Sequence, residues 1–536
     1  MNEARRQARW RKRRIIYNND GDDAIYARSG LAHDHDVAES LAVRTEGELI
    51  DDFLDARSTP LIGSQVDSNW YASCMAGLYF SHHTKLGGFY DKEMPLELVE
   101  QYERDTLQIQ TDFSHEHGME AFWSLRMNDG HDSYPAGARR WDYGLAPFKR
   151  DHPEFLMGEP DDSESGPWTA LNYSFKEVRD HVFSIIAEVA HNYDVDGIEM
   201  DFLRHYPYFC ATREKRPVEP EHLDMMTGLV RRVRNVADEV GAKRGRPLLV
   251  AARTPFNKAD ARFIGVDLEQ WLEEDLLDLL IPGGGSESCM TESFAEIVAL
   301  GHRHDVPVYP CIDWAFWVHW AFLGHSKGTH RNRAAWLETL YGGQPDRLGK
   351  PSYIPVMNGW EGTRAAWRAA AMNVFNAGAD GLYIFNPALG EPEIWREVGE
   401  PETMAGKDKL FGIDHFGGDS SFEKMIEVEV QPGEALGLHF QVGEYPGSNT
   451  ISELRFRLHL WDLVADDKMA VKLNGAVLND LAPGEEQAGS GGWLECRLRP
   501  EQVRRGENQV EVLLERRDQA AQTPLVLDCV QLAVCY

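Results

Sequence analysis

From about residue 14 to about residue 395 the chain alternates short apolar runs with longer stretches whose apolar residues recur at helical spacing. The apolar runs predict strands over 14–17, 119–125, 197–202, 248–252, 277–281, 306–310 and 381–385, with a fainter one near 69–73. Residues 178–193 (VRDHVFSIIAEVAHNY) read as an amphipathic helix. Residues 225–241 (MMTGLVRRVRNVADEVG) read as another that stops on its glycine. Such alternation predicts a parallel sheet. About eight repeats favour a closed (β/α)8 barrel, a TIM barrel, over an open doubly wound sheet. No G-x-G-x-x-G follows the first strand, which argues against a dinucleotide fold.

Beyond about residue 395 the period changes to two. GIDHFGGD over 412–419 reads as a glycine-rich linker. The segments MIEVEVQ, LGLHFQV, LRFRLHLW, MAVKLNG, WLECRLR, NQVEVLLE and LVLDCVQLAV follow. Turns are expected at Pro432-Gly433, at Asn474-Gly475 and over 489–492. About eight short strands predict an all-β sandwich of jelly-roll type, with Trp461 and Trp493 in its core. The expected division is a basic N-terminal arm over 1–13, a barrel over 14–395, a linker over 396–420 and a β-sandwich over 421–536.

The length, 536 residues, exceeds one ordinary domain and suits a barrel with an added module. Hydrophobic residues make up 43% and aromatics 10%, which excludes a mainly disordered chain. Lys and Arg number 55 against 87 Asp and Glu, a net charge of −32, so neither nucleic acid nor an anionic membrane is expected as a partner. The seven cysteines are scattered without a C-x-x-C pair, which reads as reduced thiols in a cytoplasmic protein. The basic start (Arg5, Arg6, Arg9, Arg11, Lys12, Arg13, Arg14) resembles the head of a signal peptide, but no apolar core follows it. No run of 18 apolar residues predicts a membrane span, and a homo-oligomer is left open.

The most informative chemistry lies in DVDGIEMDFLR over 194–204, read as the fourth barrel strand. Alternation puts Gly197, Glu199 and Asp201 on one face and Ile198, Met200 and Phe202 on the other. The apolar set should face the outer helices, leaving two carboxylates pointing inward at the end where barrel active sites sit. Burying two acids costs heavily without pairing or a function. The alternative is that they only pair with barrel arginines such as Arg126, Arg204 or Arg253.

Further polar groups end other strands. Arg126, Asn128, Asp129, His131 and Asp132 follow the third, and Asn19 and Asp20 lie in YNNDGDD after the first. Arg253 follows the fifth, Glu287 lies in PGGGSE after the sixth, Asp313 and Trp314 follow the seventh, and Asn386 follows the eighth. His82-His83, His131 with Asp132, and His33-Asp34-His35 are the candidate metal ligands, but none has H-E-x-x-H spacing, so no metal and no cofactor is expected. No G-x-S-x-G elbow supports serine hydrolase chemistry.

YNNDGDD, HEHGMEAFWSLRMNDGHD, YDVDGIEMDFLRH and GADGLYIFN together resemble the bacterial glycosyl-hydrolase-like TIM-barrel proteins, the broad family 10-like group. The C-terminal pattern resembles the galactose-binding-like modules appended to glycosidases. DGIEMDF is also similar to the strand-four motif of the family-18 chitinases, in which the acid lies two residues after the last aspartate. Here that position is Leu203, so chitinase chemistry is not carried over. Nor does the chain show the Asn-Glu pair of the large clan of retaining β-glycosidases.

The reading is a glycoside hydrolase acting on an oligosaccharide or glycoside. Asp201 is nucleophile or base, and Glu199 tunes it or binds substrate. The partner acid comes from another strand, Asp313 or Glu287 first and Asp129 third. Substrate contacts are expected from Asn19, Asp20, Arg126, Asn128, Asp129, His131, Asp132, Arg204, Arg253, Trp314 and Asn386. The rivals are a metal-assisted hydrolase or lyase on the same barrel and a non-catalytic carbohydrate-binding protein.

Overall fold

The structure, a computed structural model, describes residues 3–21, 45–55, 57–89, 94–133, 145–159, 168–283, 293–313, 360–387, 392–414, 428–488, 491–519 and 521–536. The chain forms two compact units. One comprises 1–285, 296–311 and 380–392; the other comprises 286–295, 312–379 and 393–536.

Eight parallel strands build the barrel: β1 (Ile15–Asn19), β2 (Val66–Tyr71), β3 (Glu120–Arg126), β4 (Gly197–Asp201), β5 (Leu249–Pro255), β6 (Leu279–Gly283), β7 (Cys311–Asp313) and β8 (Leu382–Phe385). Their order is β7-β8-β1-β2-β3-β4-β5-β6. The ring closes just before β7, where Leu280 donates to the Pro307 carbonyl (3.1 Å) and accepts from Tyr309 N–H (2.9 Å). This is a (β/α)8 TIM barrel followed by an all-β sandwich. The run at 306–310 therefore supplies the closing contact, while the regular strand assigned there begins at Cys311.

Register decides which side chains share a level inside the barrel. Arg126, Asp201 and Arg253 stand abreast on β3, β4 and β5, and Ser124, Glu199 and Ala251 stand abreast one layer below. Beneath these, the Trp70 and Phe122 rings stack at 4.4 Å and Tyr383 meets Trp70 edge-on at 5.4 Å. Gly197 lies level with Phe122, whose ring occupies the place a Cβ would take.

The basic segment 1–13 contains a helix, α1 (Glu3–Arg9), that reaches the N-terminal ends of the strands. Arg5, Arg9 and Arg13 are buried, with Arg5 and Arg9 on Asp278 just before β6 and Arg13 gripping Glu120 at the start of β3 (2.6 and 2.8 Å). Its charge is thus spent on barrel carboxylates.

Of the outer helices, α2 (Lys176–Asn192) buries Val178, Val182, Ile185, Ile186 and Val189, the apolar stripe of its sequence. The next, α3 (Pro220–Arg244), runs past the expected stop at Gly241. Gly241 is an interior glycine where a Cβ would press on the backbone of 246–248 at 3.2–3.3 Å. The stop is Gly245, whose φ of 76° is the left-handed cap conformation.

In the second unit, one antiparallel sheet contains β9 (Lys409–Asp414), β11 (Glu453–Trp461), β13 (Ala482–Ala488), β14 (Gly491–Leu498) and β16 (Val526–Cys535). The other contains β10 (Ala435–Val442), β12 (Lys468–Leu473) and β15 (Gly506–Arg516). The segment expected to link the domains is therefore partly strand. β9 pairs with β16 and buries Phe411 and Ile413, while Gly412, at φ 148°, lets the two backbones approach. Asn474 and Gly475, at φ 52° and 83°, form the expected two-residue turn. Trp461 and Trp493 are buried. No described helix is long and apolar enough to cross a membrane.

Candidate functional site

The C-terminal end of the barrel carries a layer of charge over a layer containing one carboxyl group. Glu199, mid-strand on β4, is fully buried above the Trp70, Phe122 and Tyr383 rings. Its Oε2 accepts from Tyr383 Oη at 2.9 Å and from Asn18 Nδ2 at 3.3 Å, while Oε1 has no hydrogen-bond partner among the described residues. Burial, and then the charge of Asp201, push its pKa up to about 8, against the opposing effects of Ser124 and Arg253. Asn18 Oδ1 is also without a partner among the described residues. Turning that amide over would bring its oxygen to Oε2, so Asn18 suits the protonated acid as well as the anion.

Asp201 closes β4 and is buried. Arg253 Nη1 lies 3.2 and 3.3 Å from its two oxygens, and Leu203 N–H donates to Oδ1 at 2.9 Å. Arg253 also stacks on Phe385, its guanidinium carbon 3.8 Å from the ring centre. The pairing with barrel arginines weighed above thus holds for Asp201, while Glu199 takes its hydrogen bonds from neutral donors.

Beside this pair runs an ion network. Arg126 reaches Asp20 Oδ1 (3.0 Å) and Asp129 Oδ2 (2.7 Å), and Arg204 reaches Asp20 Oδ2 (2.9 Å). Asn386 donates weakly to Asp20 (3.4 Å) and accepts from Arg57 (2.7 Å). Burial would raise the Asp20 carboxyl, but Arg126 and Arg204 outweigh it and hold it below its ordinary value. Burial likewise works against the Asp129 anion, yet His131 and Arg126 hold that carboxyl well below the usual range.

Asp129 Oδ1 takes both the backbone N–H and Nδ1 of His131, each at 2.8 Å. His205 Nδ1 lies 3.7 Å from the same oxygen and accepts from Gly130 N–H at 2.9 Å. Burial, then the charge of His131, push His205 well below the ordinary histidine pKa.

Several expected contacts turn out to be committed elsewhere. Asn128 lies past the end of β3 and spends its amide on the backbone of Leu171 and Pro207. Asp132 turns to Lys149 and Thr169, away from His131. Asn19 caps its own turn through Gly21 N–H. Glu287 and Trp314 lie outside the described residues, as do His33, Asp34 and His35; Asp313 closes β7, with its side chain outside the description. His82 is buried, with Nδ1 on Ser73 Oγ at 2.6 Å, a core position.

The residues missed from sequence are Asn18, Ser124, Tyr383, His205 and Arg57. For Tyr383 a signal existed: in LYIF, alternation puts Tyr383 and Phe385 on one face, and both prove to face inward.

No protein-family model and no curated protein matches this chain. Similar solved structures include a cycloisomaltooligosaccharide glucanotransferase from Paenibacillus sp. (10% identity, 98% of this chain and 57% of that one, TM-score 0.31). Another is a family 18 N-acetylglucosaminidase from Paenibacillus barengoltzii (14%, 48% and 63%, TM-score 0.27). A third is the glycoside hydrolase domain of PgaB (BpsB) from Bordetella bronchiseptica (12%, 73% and 99%, TM-score 0.41). The chain thus spans 57% and 63% of the first two. Similarity this low transfers neither residue roles nor activity, and the family 10-like resemblance finds no support in these matches.

Proposed function

We propose that the chain is a glycoside hydrolase whose reacting carboxylate is Asp201. One observation carries this reading. Two acids on the same barrel strand stand at the catalytic end of the fold in opposite settings. Asp201 is paired with a guanidinium; Glu199, one layer down, is buried beside the Asp201 charge, and these two effects favour its proton against the pull of its neutral donors.

In the proposed reaction Asp201 acts as nucleophile, or as the base that activates water. Glu199 sets the charge beneath it. A carboxyl group from another strand protonates the leaving oxygen. Asp20 and Asp129 are held in ion pairs with Arg126, which makes them poor acids. That favours Asp313 or Glu287 for the proton donor. Arg204 and His131 remain partly solvent-accessible at the mouth and suit contacts to sugar hydroxyls.

The test is a panel of aryl glycosides and labelled oligosaccharides, assayed with the protein and with Asp201→Asn. The reading expects hydrolysis of at least one substrate and a loss of at least about a hundredfold in kcat/KM in the folded variant. No turnover across the panel, or a fully active Asp201→Asn, rules it out.

A further inference from the structure

We propose that Asp129, His131 and His205 form a binding site for one divalent first-row metal ion, with Zn2+ as the fitting probe. Candidate donor atoms of the three residues all lie within 4.8 Å of one another. The two residues flanking Gly130 converge with a third from the loop after β4, so the site is assembled only by folding.

The distances suit a small cation. Zinc bonds of about 2.0–2.2 Å at tetrahedral angles place neighbouring donor atoms roughly 3.3–3.5 Å apart. From Asp129 Oδ1 the nitrogens of His131 and His205 stand at 2.8 and 3.7 Å, on either side of that value. The two imidazole rings meet at 4.5 Å between centres. A cation there would open the first distance by about 0.5–0.7 Å, close the second, and release to solvent the proton that His131 Nδ1 now donates to Oδ1.

Support around the donors is already in place. Arg126 holds Oδ2 at 2.7 Å, fixing the carboxylate and leaving Oδ1 facing the histidines. Gly130 N–H points at His205 Nδ1, which selects the tautomer whose lone pair sits on that atom. A cation there exchanges this hydrogen bond for a coordinate bond. Asp20, Asp129 and Asp132 offset Arg126, Arg204 and Lys149, so the cation meets no net positive charge. The imidazoles are 18% and 25% exposed, which leaves the fourth position open to water or a substrate oxygen. Two imidazoles and one carboxylate are a ligand set of catalytic rather than structural zinc sites.

This site leaves out the Asp201–Arg253 pair, though it takes His131, offered above as a sugar contact, and it does not rest on the glycosidase proposal: a protein that hydrolyses glycosides without binding zinc would overturn this inference alone. The experiment strips the protein with chelator and titrates it with ZnCl2 against a chromophoric competitor. Co2+ in place of zinc supplies visible ligand-field bands as an independent readout. One tight site per chain is expected, weakened at least tenfold by His131→Ala and by His205→Ala and unchanged by His83→Ala. Circular dichroism checks each variant, and His131→Gln replaces any that fails to fold. Absence of stoichiometric binding, or equal affinity in the histidine variants, overturns the proposal.

Discussion

Arg253 Nη1 stands 3.3 Å from Oδ1 and 3.2 Å from Oδ2 of Asp201, the two residues side by side on β5 and β4 and both almost wholly buried. A buried pair of this kind is costly to break from one side, because the remaining charge is stranded. Arg253→Met should therefore destabilise the fold by about 3–5 kcal/mol. Adding Asp201→Asn to the same chain should restore part of the loss, since the stranded anion is gone. Urea denaturation of the four chains measures this coupling. Strictly additive losses would mean that the pair contributes no interaction energy.

Glu199 makes a prediction about pH. Its carboxyl is raised in the folded protein, so between its ordinary value and about 8 the folded chain holds a proton that the unfolded chain has lost. Its stabilising effect is complete at low pH and is lost as pH rises through that window. Gln cannot titrate. Glu199→Gln should therefore gain stability relative to the native chain on going from pH 5 to pH 8.5. A stability difference that stays constant over that range would show that Glu199 is ionised throughout.

The same pair marks how far the sequence could be read. Alternation along GIEMD was enough to turn Gly197, Glu199 and Asp201 inward, because a strand buried on both faces still keeps its period of two. Which acid is paired was not legible. That depends on register between strands far apart in the chain, which brings Arg253 beside Asp201 and leaves Glu199 to Asn18 and Tyr383. Asn128 failed for a related reason: the strand ends at Arg126, so counting by two past it no longer fixes direction. The strand at Lys409–Asp414 was hidden by Gly412, which serves close backbone approach rather than a loop.

Two glycines should respond with opposite sign. Gly197 faces the Phe122 ring where a Cβ would be, and that ring is already stacked on Trp70. Gly197→Ala should cost about 1–3 kcal/mol through overpacking. Gly228, inside α3, has no atom of the described residues within 4 Å of the corresponding position. Gly228→Ala should stabilise by up to about 1 kcal/mol through helix propensity. Thermal melts of the two variants decide the matter, and a stable Gly197→Ala would show that the barrel floor can yield.

At the other end of the barrel, Asp278 is fully buried and receives Arg5 (2.7 Å), Arg9 (3.0 Å) and Arg234 (2.7 Å), together with Val250 N–H (2.9 Å). Burial alone would raise this carboxyl; Arg234, Arg5 and Arg9 outweigh it and hold the pKa below its ordinary value. A depressed carboxyl contributes stability that is present above the unfolded value, about 3.9, and is lost as pH falls through the folded one. Deleting residues 1–9 removes two of the three guanidinium groups and leaves Arg234 in place. The shortened chain should melt lower at pH 6, and the gap to the full chain should narrow by pH 3, where protonation of Asp278 begins to cancel what α1 supplies. Melting curves of both chains from pH 3 to pH 7 test this. A gap that does not change with pH would mean that α1 stabilises the barrel by packing alone and that its arginines add nothing through Asp278.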